Sequence, residues 1–415
     1  TSGSSSSQPP KHATARHPFL TAASCGRTHP GGMKPSDARN QDTFFELRID
    51  EHNAAWGVFD GHGSQNGTLV AEVASATIEQ VLRAHWARLR SEPEHLMTDA
   101  FGQAHRAVVA ALRRERPEYL LHEEEGYLYE EWREQDGSLC SEACDGGTTA
   151  TVVCLIDGAL LVQAQCGDST ALLGGILEGE PTFEELITEH SATHADEFTR
   201  VQDTRRGKEL QFVYDVPELI DQDKAPHVFR STPTGPELDV KSKRVAEVHG
   251  TPAKNKRGDL PTILITPEEH GFDPQSLAMT RSIGDLYMQS FGVTWEPEVI
   301  AIDLQEECTE LEHLTLVIAS DGLWDLYETE EVFDGVVDPS APDGVQSTRR
   351  AAAFFEHSLG QGDELFGEHT DNITQVVIYL NPAPPGQPGA KPAPAVDTGG
   401  GAAEKRAAQA SCFSV

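Results

Sequence analysis

The chain has 415 residues, enough for one large domain or two ordinary ones with a substantial core. Its 67 acidic residues outnumber its 32 lysines and arginines, which gives a formal net charge of −35 at pH 7. A field of that sign repels nucleic acid and anionic membranes, and no apolar run reaches the roughly 18 residues needed to span a bilayer. We therefore expect no nucleic-acid partner and no transmembrane segment.

The seven cysteines are sparse and odd in number, and their spacing shows no disulfide pattern. Such usage is typical of free thiols in a reducing compartment, so we expect a cytoplasmic protein, with the nucleus as the alternative. The last four residues, from Cys412 to Val415, formally match a prenylation box, but serine is a poor residue for its aliphatic position. We interpret this match as a coincidence.

Composition divides the chain into three parts. Residues 1–30 are rich in Ser, Thr, Pro and Gly, and much of the stretch 381–415 is Pro, Gly and Ala. We predict a disordered segment at the first and a flexible tail at the second. Residues 31–380 contain no linker-like stretch and are predicted to form one domain.

The first elements of that domain are a strand and two helices. Residues 55–59 are apolar and β-prone, and a glycine turn follows them. Beyond the turn, apolar residues recur at helical spacing in two runs, which predict two helices with core-facing stripes. The stripes comprise Val70, Val73, Thr77, Val81 and Ala84, then Met97, Phe101, Ala104, Val108 and Ala111.

An acidic insertion near residues 121–137 follows and is predicted to lie on the surface. Residues 149–155 and 160–165 are apolar runs around Asp157-Gly158, a strong signal for a hairpin. Two later strands are predicted at residues 315–320 and 375–380. Hairpin strands combined with separate long helices favour an α+β fold with antiparallel sheets.

Two apolar runs far apart in the chain end abruptly in Asp-Gly, at Asp60 and at Asp321. A charge at the tip of a buried strand is costly unless a cation meets it, and the adjacent glycine lets the backbone turn sharply. Further aspartates at strand ends or turns are Asp42, Asp168, Asp325 and Asp371. Each alone would be interpreted as a turn former or helix cap, but together they predict a site for hard divalent cations.

Six short motifs extend this pattern. They are Val58-Phe59-Asp60-Gly61-His62-Gly63, Gly147-Thr148-Thr149-Ala150, Gly167-Asp168-Ser169, Thr280-Arg281-Ser282-Ile283-Gly284-Asp285, Ser320-Asp321-Gly322-Leu323-Trp324-Asp325 and Asp371-Asn372-Ile373-Thr374. In this order they make residues 31–380 resemble the metal-dependent protein Ser/Thr phosphatases of the protein phosphatase 2C family. The resemblance implies a central antiparallel β-sandwich flanked by α-helices on both faces, with phosphoproteins as substrates, and we expect a monomer.

The resemblance also implies two Mg²⁺ or Mn²⁺ ions. Asp60 would bridge them, with the Gly61 carbonyl as a further ligand, and Asp321 and Asp371 would hold one of the two. A pair of ions about 3.5–4 Å apart lowers the pKa of a bridging water and neutralises phosphate charge, so that hydroxide attacks phosphorus in line. No phosphoenzyme is expected.

Asp168 and Asp325 match, with Asp321, the positions of a weaker third metal site, and Asp42 joins the predicted metal site from the first motif. His62 matches the position of a general acid for the departing serine or threonine oxygen. A histidine suits that role because its pKa lies near working pH. The alternative is a turn histidine, or one that only orients a metal-bound water.

Two positions depart from the family pattern. Gln41 stands where family members usually carry glutamate, so it brings no charge to the second metal. Asp37 stands where the phosphate-gripping arginine usually lies. Arg39 or Lys34 would substitute from a shifted loop, and Arg39 is preferred because its guanidinium makes bidentate phosphate contacts.

The stretch 169–276 is predicted to contain an enlarged version of the family's flap, which lies beside the active site. This surface either sets substrate choice or is a solvated insertion without a partner. Arg281 and Asp285, just beyond it, are interpreted as structural ties of their motif.

The leading hypothesis is an active phosphoserine/phosphothreonine phosphatase with a role in signalling. The alternative is a pseudophosphatase that keeps the fold and binds a partner. Loss of metal aspartates would mark it, whereas Asp60, Asp321 and Asp371 are all present. Another two-metal hydrolase, such as a phosphodiesterase or nuclease, is disfavoured by the charge of −35 and by the six motifs.

Overall fold

The structure is a computed structural model that describes residues 20–32, 39–204, 208–219, 225–253, 255–269, 271–308, 310–337, 344–382 and 409–413. The strands are β1 (Leu20–His29), β2 (Thr43–Arg48), β3 (Ala54–Phe59), β4 (Gly61–His62), β5 (Leu120–Leu121), β6 (Leu128–Arg133), β7 (Leu139–Ala143), β8 (Gly147–Thr148), β9 (Ala150–Ile156), β10 (Leu160–Cys166), β11 (Thr170–Leu177), β12 (Glu180–Glu185), β13 (Gln211–Tyr214), β14 (Phe229–Thr232), β15 (Gly235–Leu238), β16 (Thr262–Ile265), β17 (Ser276–Leu277), β18 (Ile283–Gly284), β19 (Glu298–Asp303), β20 (Glu312–Ala319), β21 (Ile373–Pro382) and β22 (Gln409–Phe413). The helices are α1 (Gly67–His85), α2 (Pro93–Glu115), α3 (Ala195–Thr204), α4 (Val240–His249), α5 (Leu286–Gln289), α6 (Leu304–Glu307), α7 (Asp321–Trp324), α8 (Thr329–Val336) and α9 (Gly344–Phe366), with short 3₁₀ helices at Trp86–Arg88 and Gly367–His369.

Two antiparallel sheets form the centre of the molecule. The six-stranded sheet has the order β12-β11-β20-β21-β1-β22, and the five-stranded sheet has the order β19-β10-β9-β3-β2. β9 and β10 form the predicted hairpin, and its turn residues Asp157 and Gly158 have φ of 51° and 60°. Glycine and aspartate tolerate such left-handed backbone better than most residues do, which explains their place in this turn.

The strands alternate between two apolar layers. On β3, Trp56 and Val58 pack between the two sheets, whereas Ala55 and Phe59 point to the opposite face of their sheet. This period of two fixes which face of each strand meets the other sheet. The layer between the sheets therefore consists of residues from both sheets, among them Leu316 on β20.

Helices cover the two outer faces. α1 and α2 pack on the five-stranded sheet, and their predicted stripes include the buried Val70, Val81, Met97 and Phe101. α8 and α9 pack on the six-stranded sheet, where Phe333 of α8 is buried. The predicted β-sandwich flanked by helices on both faces is thus confirmed. None of the described helices is both long and apolar enough to cross a membrane.

The predicted N-terminal boundary is wrong. β1 pairs with β21 along ten residues from Leu20 to His29, although residues 1–30 were expected to be disordered. Ala22 and Cys25 on this strand are buried, but such small residues among Ser, Thr and Gly give a weak strand signal. The predicted tail is also wrong in part, because β21 extends to Pro382 and β22 pairs with β1.

Two further boundaries change. The acidic insertion forms a small sheet of β5, β6 and β7, and it is not purely a surface excursion because Tyr127 and Leu128 are fully buried. β11 and β12 belong to the six-stranded sheet, so residues 170–185 at the start of the predicted flap range are part of the sandwich. The flap begins after them and comprises α3, α4 and strands β13 to β17.

Candidate active site

Strand pairing brings the aspartates to one end of the sandwich. β2 and β3 are antiparallel, and the pair Thr43↔Phe59 places Asp42 and Asp60 side by side just beyond the strand ends. Because Asp42 precedes one strand and Asp60 follows the other, an antiparallel register is what makes them neighbours.

The six-stranded sheet contributes its aspartates at the same end. The pair Thr170↔Ala319 places Asp168 near Asp321, and Ser320 donates its backbone N–H to the carbonyl of Thr374 on β21. Ser320 also donates its hydroxyl to Oδ2 of Asp42 over 2.8 Å, which joins the ends of the two sheets.

Asp371 and Asp325 complete the group. Asp371 lies just before β21 and is exposed, while Asp325 follows the short helix α7 that begins at Asp321. We call the six aspartates of this end the carboxylate cluster: Asp42, Asp60, Asp168, Asp321, Asp325 and Asp371.

Burial and mutual repulsion raise the pKa of several members. Burial raises the pKa of Asp42 to about 7, with hydrogen bonds from Thr374 and Ser320 opposing it and the charges of Asp321 and Asp371 adding to it. Carboxylates that share a site in this way cannot all be charged without cations among them.

The same causes act on the other side of the cluster. Burial, then the charge of Asp42 and other cluster members, raises the pKa of Asp60 well above its usual value. Burial and the charge of Asp321 raise the pKa of Asp168 and of Asp325 to about 8 each. Arg257, from the flap, opposes this rise at Asp325.

The donor set fits divalent cations. Oδ1 of Asp42 and Oδ1 of Asp168 are buried and find no hydrogen-bond partner in the described part of the chain. Carboxylate and carbonyl oxygens are the ligands that Mg²⁺ and Mn²⁺ prefer. Among the described residues, however, no group of three or more His, Cys, Asp or Glu side chains is arranged to hold an ion by itself. Backbone carbonyls and water would therefore have to complete each coordination shell.

His62 lies on β4 at the edge of the cluster. Its Nε2 is 2.7 Å from Oδ2 of Asp285, and the same oxygen accepts the hydroxyl of Ser282 over 2.5 Å. Burial alone would lower the pKa of His62, but the Asp285 carboxylate outweighs it and raises the pKa. The interpretation of Asp285 as a structural residue did not include this contact with His62. The sequence signal that could have indicated it is the Gly284-Asp285 ending of the motif.

Two glycines allow this crowded packing. A Cβ on Gly61 would lie 2.5 Å from the carbonyl oxygen of Gln41, and a Cβ on Gly147 would lie 2.0 Å from Oδ2 of Asp285. A side chain at either position would displace the loop or the His62–Asp285 contact. The glycines of these motifs are thus required by close approach.

Gln41 braces the site. Its backbone N–H donates to Oδ1 of Asn372, and its side-chain Nε2 donates to the carbonyl of Gly63, each over 2.7 Å. Arg39 is exposed, and the predicted phosphate contact stays a prediction. Lys34 and Asp37 lie outside the described residues.

Arg281, the arginine of the Thr280–Asp285 motif, connects the flap to the site. Glu197 on α3 accepts hydrogen bonds from Arg281, Arg200 and the hydroxyl of Thr280. The predicted structural role of Arg281 agrees with these contacts. His190, at the start of the flap, accepts the backbone N–H of Gly167 at its Nδ1 over 3.1 Å.

Known proteins resemble this chain in sequence and fold. A family profile described as Protein phosphatase 2C matches residues 36–208 and 244–353. "Probable protein phosphatase 2C 35" of Arabidopsis thaliana is 27% identical over 350 residues, which cover 83% of this chain and 79% of that protein. "Protein phosphatase 1K, mitochondrial" of Xenopus laevis is 26% identical over 339 residues, which cover 82% of this chain and 64% of that protein.

A solved structure of serine-threonine phosphatase 2C from Toxoplasma gondii matches with a TM-score of 0.56 and 14% identity, over 88% of this chain and 99% of that one. That likeness concerns the fold. The family profile covers more than half of this chain, and its segments contain five of the six motifs. The chain therefore belongs to the protein phosphatase 2C family of serine/threonine phosphatases.

Proposed function

We propose that the protein is an active, Mg²⁺- or Mn²⁺-dependent phosphatase that hydrolyses phosphoserine and phosphothreonine in phosphoproteins. The observation that carries the proposal is the carboxylate cluster, in which burial and mutual repulsion raise the pKa of Asp60, directly beside the His62–Asp285 pair. Family membership supports the reaction class. The expected monomeric state and cytoplasmic or nuclear location remain predictions from sequence.

The cluster would hold two ions, with a weaker third. Asp60 would serve both principal ions, with the Gly61 carbonyl as a further ligand, and Asp321 and Asp371 would hold one of the two. When bound, such ions supply charge neutralisation at the phosphate and acidity to the attacking water. Asp42 lies next to Asp60 and would join the metal site through its buried, unpartnered Oδ1, while its Oδ2 accepts from Ser320 and so connects the ends of the two sheets.

Asp168 and Asp325 would provide the weaker site together with Asp321. Both have a pKa raised to about 8, which means that each gains more from a cation than an ordinary surface carboxylate does.

His62 would protonate the departing oxygen. Its Nε2 is engaged by Asp285, which fixes the ring orientation and favours the protonated form. Nδ1 is buried and has no hydrogen-bond partner in the described part of the chain, so in this proposal its proton would pass to the serine or threonine oxygen of a bound substrate. Asp285 is a positioning residue in this scheme, since it acts through the imidazole.

The first experiment is hydrolysis of a phosphothreonine peptide by protein treated with EDTA, with and without added Mn²⁺ or Mg²⁺. We expect turnover only with metal. Asp60→Asn should lose more than about a hundredfold in kcat/KM, because even changes outside the ligand shell of metal sites cost 10–100-fold. Asp99→Asn, an exposed carboxylate on α2, is the matched control and should keep full activity.

No turnover of a folded protein in either metal would contradict the proposal and favour the pseudophosphatase, with Gln41 as the first position to change. Gln41→Glu would then restore the carboxylate that the family carries. Equal activity of Asp60→Asn and wild type would contradict the role of the carboxylate cluster.

A further inference from the structure

The flap carries a helix that the rest of the molecule barely covers. Residues 209–243, which include the start of α4, fall between the two segments matched by the family profile. In α4, Ala246 is the residue that is buried, whereas Val240 and Val248 are 60% and 73% exposed. The two valines lie eight residues apart, with Arg244 midway between them.

This helix is also basic in an acidic protein. α4 holds three cations, Lys241, Lys243 and Arg244, and one acid, Glu247, in a chain whose net charge is −35. Lys241, Lys243 and Arg244 are exposed, and no side-chain hydrogen bond or ion pair joins them to other described residues. Their charges are therefore available to a partner.

Helical geometry places these features together. Val240, Arg244 and Val248 are four residues apart, so they follow one line along α4, and Lys241 and Lys243 flank that line. We call these five residues the basic strip. The helix itself is fixed, because the side chain of Asp239 accepts the backbone N–H of Lys241 over 2.9 Å at its N-terminus.

The chain beyond α4 leads to the active site. The backbone N–H of Lys256 donates to the carbonyl of Asp325 over 2.8 Å, and Nη1 of Arg257 donates to the carbonyl of Trp324 over 3.0 Å. Asp325 belongs to the carboxylate cluster. Lys256 is the seventh residue after His249, so the end of α4 lies at most about 25 Å from the contact of Lys256 with Asp325.

We propose that the basic strip docks an acidic segment of the phosphoprotein substrate, rich in Asp and Glu and close in sequence to the phosphorylated serine or threonine. The inference rests on the proposed function and deepens it by naming a substrate class. Charge complementarity selects the occupant, since three unpaired cations and two exposed valines fit an acidic peptide with apolar side chains. Because the end of α4 lies at most about 25 Å from Asp325, we expect the acidic run to lie within about ten residues of the phosphorylated residue.

A peptide is favoured over a membrane for an electrostatic reason. The acidic run of an extended peptide contacts the strip, and protein charges more than about 10 Å from that run are largely screened at ordinary salt. A flat anionic membrane would face much more of a surface whose net charge is −35.

The binding test avoids catalysis. Fluorescence anisotropy would compare three peptides with EDTA-treated protein: one with a run of Glu beside phosphothreonine, one with Gln in place of Glu, and one with the Glu run far from phosphothreonine. We expect the first to bind about tenfold more tightly than the Gln peptide, and its affinity to fall as salt rises. The triple variant Lys241→Glu, Lys243→Glu, Arg244→Glu should abolish this preference.

The matched control changes the net charge of the protein by the same amount at positions away from α4. Arg83→Glu, Arg113→Glu, Arg114→Glu alters exposed positions on α1 and α2 and should keep the preference. Val240→Ser with Val248→Ser tests the apolar part separately and should weaken binding of the Glu peptide without changing its salt dependence.

The catalytic test separates this inference from the proposed function. With metal, the α4 triple variant should lose about tenfold in kcat/KM on the nearby Glu phosphopeptide and nothing on an aryl phosphate. Hydrolysis of all peptides with equal kcat/KM in wild type would overturn the docking inference and leave the proposed function intact. Preferential binding of the Glu peptide without any turnover would support the strip and contradict the proposed function. Binding of phosphatidylserine vesicles through the strip, without peptide binding, would overturn the inference in favour of a membrane.

Discussion

At the scale of single residues, the site depends on the contacts of Asp285. Asp285 has φ of 43°, a left-handed conformation that aspartate tolerates better than most residues with a Cβ do. Its backbone N–H donates to the carbonyl of Gly146 over 2.9 Å, and its Oδ2 meets both Ser282 and His62. Three contacts therefore hold the carboxylate in the one orientation that engages the imidazole.

We expect His62→Ala to distinguish substrates by their leaving group. An aryl phosphate has a good leaving group and needs no proton, so its kcat should fall much less than that of a phosphopeptide, which should lose about 10²–10⁴-fold. Asp285→Asn should follow the same pattern as His62→Ala, with a larger fall in kcat for the phosphopeptide than for the aryl phosphate. Steady-state kinetics on both substrates is the measurement, with the exposed His95→Ala as the control. Equal losses on both would contradict the general-acid role.

At the scale of elements, the flap is attached through a buried ion cluster. Glu197 on α3 is buried and accepts hydrogen bonds from two arginines. Arg200 lies on the same helix, and Arg281 precedes Ser282, which donates to the Asp285 carboxylate that contacts His62. Burial alone would raise its pKa, but hydrogen bonds from Arg281 and Arg200 hold the pKa far below the ordinary value of 4.5. The flap helix and the site are thus joined by charge as well as by packing.

Glu197→Gln should destabilise the protein by about 3–5 kcal/mol, because it leaves two arginines without their carboxylate. In wild type, this carboxylate contributes stability that is present above pH 4.5 and is lost as the pH falls below it, since the folded pKa is depressed. Urea unfolding at pH 7 and pH 4 measures both effects. The exposed pair Glu79–Arg83 supplies the control, and Glu79→Gln should change stability by no more than about 1 kcal/mol. Similar effects of both substitutions would contradict this account.

Sequence alone predicted the elements with strong local signals and missed those whose cause is distant. The Asp157-Gly158 hairpin and the stripes of α1 and α2 follow from turn chemistry and periodicity. β1 could not be predicted in this way, because its small side chains give little local signal. The segment forms a strand by pairing with β21, which lies more than 300 residues later in the chain. The aspartates could be gathered from motifs, but the His62–Asp285 contact depends on two segments 223 residues apart.

At the scale of the whole molecule, the aspartates of the carboxylate cluster repel one another at the end where the two sheets meet. In the folded protein without metal, burial raises the pKa of Asp42 to about 7 and those of Asp168 and Asp325 to about 8, so these groups retain protons that an unfolded chain releases near the ordinary value of 3.8. Stability linked to them is complete below that value and is lost as the pH rises toward 8.

We expect the melting temperature in EDTA to fall between about pH 5 and pH 8, and added Mg²⁺ to raise it more at pH 8 than at pH 5.5. The double variant Asp168→Asn, Asp325→Asn should flatten the decline in EDTA because it removes two of the repelling charges. Thermal scans with and without metal are the measurement. A metal-induced shift that is equal at both pH values would contradict the compensation of charge.

The pairing of β1 with β21 has a consequence for synthesis on the ribosome. β1 obtains its neighbour β21 only when residues through Pro382 have emerged, so the nascent chain carries an unpaired strand edge while the more than 300 residues between the two strands are synthesised. The catalytic end cannot assemble earlier, because Asp371 also arrives last.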